Sequence, residues 1–217
     1  MSPPWHIYPA SETKVLMPVA TSAPAAAAER TLPASKEVRR SRTAPVDKRG
    51  ARPPAAFEQA AARHGIPAWL VYGVALQESQ VTIGRTALPY PWTLCVSGRG
   101  ERYADVHAAR RALRGYLDVG VTNVDCGPMQ VNWRWHRDKL QSVDRALDPY
   151  ANLDVGAGIL ADLRRSTGDW RMAVQLYHAG SLDTLERRTR AARYLASVQR
   201  VLARHGQSFA AEGGPHG

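Results

Sequence analysis

The chain has 217 residues, 44% of them apolar, enough for one domain of ordinary size with its own core. A formal net charge of +10 suits a polyanionic partner, whether nucleic acid, anionic lipid or an acidic cell-wall polymer, without choosing among them. No apolar run reaches the roughly 18 residues of a transmembrane helix. Two cysteines with no His cluster beside them lack zinc-site spacing, so neither a metal nor another cofactor is expected.

The excess charge is uneven. Residues 1–56 hold nine Lys/Arg against four Asp/Glu, and residues 57–217 hold twenty against fifteen, so each part carries +5. Prolines recur through the first segment, from Pro3 to Pro54, among Ala, Ser and Thr. It reads as a disordered basic tail, unable to bury enough surface to offset its ordering entropy. A nucleic-acid arm is the sharper reading of the charges at 36–42 and 48–52. No aromatic side chain interleaves them, so nucleic acid is not the expected partner. Lys14 and the apolar and small residues up to Ala28 form at best a weak export signal, interrupted by Pro18 and Pro24. Either this is no signal or the start site is misassigned. Residues 206–217 read as a second disordered tail, leaving a domain at 57–205.

Ala55–His64 reads as a helix stopped by Gly65. Pro67 suits the first turn of the next helix, which carries Glu78 near its end. Residues 84–104 change character: a strand-like run at 89–96, a Ser97-Gly-Arg-Gly100 turn and a return at 101–103 predict a small hairpin. Asp105 caps a helix to Leu117 with Ala109, Leu113 and Tyr116 on one face, and Arg110, Arg111 and Arg114 on a solvated one. Val121 to Val124 is a short apolar stretch, broken by Gly127-Pro128. Asp148-Pro149 opens a helix with Leu153, Ala157 and Leu160 aligned. Asp169 caps another through Tyr177 to Gly180, and residues 184–204 form a final basic helix. About six helices with one hairpin inserted between the second and third give an α+β class, predominantly helical.

Candidate chemistry begins with Glu78. Val71, Val74 and Ala75 lie seven, four and three positions before it, on the stripe where the helix buries itself. Burial raises a carboxyl pKa and makes a proton donor near neutral pH; the competing reading is an end-of-helix Glu turned into solvent. Gly127-Pro128-Met129-Gln130-Val131-Asn132 combines a backbone break with amides that could bond a sugar. Tyr177 and His178 end a helix beside Ala179-Gly180, where a Tyr hydroxyl could reach Glu78. Taken singly, Met129 reads as packing and His178 as a satisfied polar side chain. Asp125 either holds the Cys126–Gly127 turn or approaches Glu78 as a second carboxylate. Cys95 and Cys126 are two buried thiols or a disulfide.

The order of these segments is more specific than any one of them. Glu78-Ser79, Gly127-Pro-Met-Gln130, Asn152 with Gly156 four residues on, and Ala173 through Tyr177-His-Ala-Gly180 together resemble the lysozyme-like lytic transglycosylases of the soluble-lytic-transglycosylase type. The resemblance spans residues 57–200. Pro128 and His178 depart from it, standing where the family usually has Leu and Asn. The insertion and the Trp92-Thr-Leu stretch are similar to single-domain members that accompany conjugation, type IV secretion or pilus machines.

The resemblance implies a lysozyme-like fold and a bacterial periplasmic or cell-envelope location. It implies peptidoglycan glycan strands as substrate, with a secretion, conjugation or pilus component as partner. It implies Glu78 as the catalytic acid and base, with Ser79, Met129, Gln130, Asn132, Tyr177, His178 and, more weakly, Tyr194 around the sugar. An extracytoplasmic substrate, with residues 95 and 126 flanking the insertion, also implies a Cys95–Cys126 disulfide. Two rivals remain: a hydrolytic muramidase using Asp125 as second carboxylate, and a non-catalytic module binding glycan or a secretion partner.

Overall fold

The computed structural model describes residues 52–208. Most of the two segments expected to be disordered, and all of the weak export signal at 14–28, lie outside the described residues. The first helix, α1 (Ala55–His64), already buries Ala56 and Phe57. It ends where Gly65 takes a left-handed conformation (φ 63°) and its N–H returns to the Ala61 and Ala62 carbonyls.

After Pro67, α2 (Ala68–Ser79) is buried on nearly every side, from Leu70 through Leu76 and again at Ser79. A helix apolar all round belongs in a core, and α2 packs between α1 and the last helix. Gly73 permits that approach: a Cβ there would lie 2.8 Å from Leu202 Cδ2.

The β structure is larger than one hairpin. Strands β1 (Gln80–Ile83) and β2 (Thr86–Pro89) form a two-stranded antiparallel sheet directly after α2. The strand expected at 89–96 is cut at 90–92, where Pro91 has no N–H to donate. It resumes as β3 (Thr93–Val96), which pairs with β4 (Arg99–Arg102) through a two-residue turn with positive φ at both Ser97 (50°) and Gly98 (86°). The apolar stretch before Gly127 becomes β5 (Val124–Cys126), and β6 (Val131–Asn132) completes a sheet of order β4-β3-β5-β6.

Between β4 and β5 lies α3 (Val106–Asp118), capped by Asp105, whose carboxylate accepts the Ala108 N–H at 2.7 Å. Its arginine face is not simply solvated: Arg110 and Arg114 pair with Asp144 at 3.0 and 3.2 Å. Two short helices, α4 (Trp133–Leu140) and α5 (Val143–Ala146), were not expected. Among their residues only Leu140 and Ala146 are buried, so no apolar stripe announces them. Then come α6 (Pro149–Thr167), α7 (Trp170–Ala179) and α8 (Leu185–Arg204), capped by Asp148, Asp169 and Thr184. The class is α+β with helix dominant. Leu153, Ala157 and Leu160 of α6, Val71 and Val74 of α2 and Val198 of α8 all belong to one core.

Candidate active site

Glu78 sits on the last turn of α2, and its neighbour Ser79 fixes where that turn ends. The buried Ser79 hydroxyl lies 3.0 Å from the Ala75 carbonyl and 2.9 Å from the Pro128 carbonyl, to either of which it donates. The second contact joins the Glu78 helix to the turn at 127–130, 49 positions later in the chain.

That turn is held from below by one amide. Asn152 of α6 is fully buried. Its Oδ1 accepts the Met129 N–H at 2.9 Å, and its Nδ2 donates to the Cys126 and Ala146 carbonyls at 2.8 and 3.0 Å. Gly127 has φ 72°, and a Cβ there would lie 2.6 Å from Asn152 Cγ. One helical turn on, a Cβ at Gly156 would lie 2.7 Å from Met129 Cβ. The Asn152-to-Gly156 spacing therefore seats the turn, with the amide bonding its backbone and the glycine admitting Met129, which is fully buried. Asn152, not Asp125, holds the Cys126–Gly127 corner.

The two tyrosines divide their work differently from the expectation. Tyr177 does not bond Glu78; its hydroxyl donates to the Met129 carbonyl at 2.8 Å, a further tether on the same turn. Tyr194 of α8, the weaker sequence match, donates to Glu78 Oε1 at 2.5 Å. The exposed His178 ring stacks on the Tyr194 ring at 4.3 Å and 5°.

A family model described as the transglycosylase SLT domain matches residues 55–198. The chain belongs to that family. No curated protein and no solved structure matches it significantly. The helix-dominated α+β arrangement is the lysozyme-like fold of the transglycosylase SLT domain.

In this SLT domain the electrostatics centre on Glu78. Loss of solvation raises its pKa to about 7, against the lowering effect of the Tyr194 hydrogen bond and with a smaller upward push from the Asp125 charge. Desolvation also raises Asp125, partly offset by hydrogen bonds from Asn132 and Cys95. Asp125 is therefore near enough to be felt by Glu78, but its carboxylate is engaged: Asn132 Nδ2 donates to it at 2.8 Å. Both Tyr177 and Tyr194 are held protonated well above the ordinary phenol range, by burial first and the Glu78 charge second. Partial loss of solvation, with one ring face against Tyr194, and then the Arg190 charge lower His178 below the ordinary imidazole value. The Gln130 amide, at a residue with φ 47°, donates to the Gly127 carbonyl at 2.9 Å. Among the described residues, no group of three or more His, Cys, Asp or Glu side chains could hold a metal ion.

The expected Cys95–Cys126 disulfide is absent, and both thiols are free. The register explains why. Cys95 lies opposite Asp125 and Cys126 opposite Leu94, so neighbouring positions put the two sulfurs on opposite faces of the sheet. Cys126 turns into the core, while Cys95 bonds Asp125 on the side of the site.

In the sequence Asn152 is legible only as a motif position. A buried amide one helical turn before a glycine, on a face lined by Leu153 and Ala157, was the available signal.

Proposed function

We propose that the chain is a peptidoglycan lytic transglycosylase that cleaves the β-1,4 bond from N-acetylmuramic acid to N-acetylglucosamine and leaves 1,6-anhydro-muramyl ends. The observation that carries this reading is a single partly buried carboxyl, Glu78, raised to about 7 and bonded by one phenol. A carboxylic acid of that pKa is protonated often enough near neutral pH to donate, and its conjugate base can take a proton back.

The steps balance around that group. The Glu78 proton passes to the glycosidic oxygen as the bond to the muramyl anomeric carbon breaks. The muramyl acetamido oxygen bonds that carbon in the interim. The Glu78 carboxylate then takes the proton of the muramyl C6 hydroxyl, whose oxygen displaces the acetamido group and closes the 1,6-anhydro ring. No water enters, and Glu78 ends protonated. Tyr194 holds the carboxyl through both steps, while Gln130, Asn132 and His178 line the sugar's approach.

One observation favours a second reading. The Asp125 charge reaches Glu78, and a second carboxylate positioning water would make the enzyme a hydrolytic muramidase. Mass spectrometry of muropeptides released from purified sacculi separates the two: anhydro-muramyl ends support the transglycosylase, reducing muramyl ends the hydrolase. Loss of all release in Glu78→Gln is expected in both cases. Continued release by that variant sinks the assignment of Glu78, and absence of release by the wild type leaves the glycan-binding module.

A peptidoglycan substrate puts the work of this domain in the periplasm or cell envelope. Service to a conjugation, type IV secretion or pilus apparatus is supported by the resemblance of the insertion around Trp92.

A further inference from the structure

The last residue of the turn strand, Asn132, also caps α4: its side-chain oxygen accepts the Trp135 N–H. The same amide donates to Asp125 beside Glu78. One side chain thus links the candidate active site to the first turn of α4. Trp135 on that turn is 71% exposed. The helix breaks directly after it, at His136 (φ −128°, ψ 18°), so Trp135 closes the single turn that starts at the Asn132 cap. Arg134 lies with its guanidinium 5.2 Å from the indole centroid, and no carboxylate pairs with it among the described residues.

An open indole with a cation at one side is suited to an amphipathic ligand that is anionic in part. The apolar C–H face of a pyranose ring packs on an aromatic plane, and the guanidinium binds a carboxylate bidentately. Peptidoglycan offers both groups along one strand, the sugar rings and the carboxylates of the muramyl lactyl and peptide substituents. The core explains why neighbouring Trp133 is partly buried, but not why Trp135 stands free.

We propose that Trp135 and Arg134 form an accessory glycan subsite at the N-terminal end of α4, with one saccharide ring of the strand on the indole and a carboxylate substituent on the guanidinium. This rests on the peptidoglycan reading of Glu78, and adds that the strand is gripped outside the catalytic residues.

The test is co-sedimentation of the full chain with purified sacculi, in the Glu78→Gln background so that the strand stays intact. Adding Trp135→Ala is expected to weaken binding by about fivefold to tenfold, and Trp135→Phe, which keeps an aromatic face, by about twofold or less. Arg134→Ala is expected to weaken binding to sacculi while leaving binding of a soluble N-acetylglucosamine hexamer, which has no carboxylate, unchanged. Sedimentation of Trp135→Ala equal to that of its parent overturns the subsite, as does equal loss in Trp135→Ala and Trp135→Phe. Muropeptide release by the otherwise native chain is scored separately. A failure of the catalytic reading appears there, and a failure of the subsite appears in the sedimentation.

Discussion

The imidazole of His178 lies flat on the phenol of Tyr194, and the hydroxyl of that phenol is the hydrogen-bond donor to Glu78. His178 thus packs against the ring whose hydroxyl holds the Glu78 carboxyl. Removing it loosens a bond that lowers the Glu78 pKa. In His178→Ala, the alkaline limb of kcat/KM, where the acid loses its proton, is therefore expected to move above about 7. The kcat should fall several-fold. His178→Phe keeps the stacked ring and should keep both values; His178→Asn should follow Ala. Identical alkaline midpoints in the four proteins would mean that the stack does not reach Glu78.

Glu78 is expected to weaken the fold at the pH where it works. Its pKa is raised, so between about 4.5 and 7 the folded chain binds a proton that the unfolded chain has released. Stability then falls as pH rises through that window and levels above it. Glu78→Gln removes this cost while an amide oxygen can still accept from Tyr194. Denaturant unfolding should show the variant more stable than wild type by about 1–3 kcal/mol at pH 8, and equal to it at pH 4. A variant less stable at pH 8 would contradict the raised pKa.

The sequence pattern showed α3 and α6 to α8 well, because each has a side-chain cap and an apolar stripe, and α1 and α2 through their Pro and Gly boundaries and apolar content. It did not show α4 and α5, whose helices rest on Asn132 and Ser142 caps and bury almost nothing. It could place Tyr177 and Tyr194 on helices but not say which hydroxyl meets Glu78, because that depends on how α7 and α8 cross α2. The cysteine error has the same origin. Two cysteines near each other in a sheet are one register step from sharing a face, and the register is a tertiary fact.

Asn152 carries the turn, and its loss should be severe. Asn152→Ala leaves the Met129 N–H and the Cys126 and Ala146 carbonyls without their buried partner. Unpaired buried groups of this kind cost about 1–3 kcal/mol each, so a total of about 3–5 kcal/mol is expected, read by denaturant unfolding. Activity should fall even at temperatures where the variant is folded, since the 127–130 turn positions Gln130. A loss under 1 kcal/mol would show that water replaces the amide readily.

The two thiols should both titrate in the absence of reductant once the chain is unfolded, giving a mass increase for two alkylations. In the folded chain Cys95, half-buried and bonded to Asp125, should react slowly, and Cys126, fully buried, should be protected. Dithiothreitol should not change the unfolding midpoint. A chain that takes up no label when unfolded without reductant would restore the disulfide.

Asp125→Asn separates the two chemical readings through one variant. If Glu78 works alone, Asp125 acts on it only as a nearby negative charge that raises its pKa. Removing that charge should shift the alkaline limb of kcat/KM to lower pH, below about 7, with anhydro-muramyl ends still the product. The raised value should largely persist, since desolvation rather than Asp125 is its main cause. If Asp125 instead activates water, the same substitution should remove nearly all turnover and, with it, reducing ends. The bond to Asn132 favours the first outcome, because a carboxylate already accepting that amide has one oxygen committed to the sheet. Measuring product ends and the pH profile on the same preparation makes the answer independent of how much active protein is recovered. Abundant reducing ends from wild type, lost in Asp125→Asn, would make this chain a two-carboxylate hydrolase.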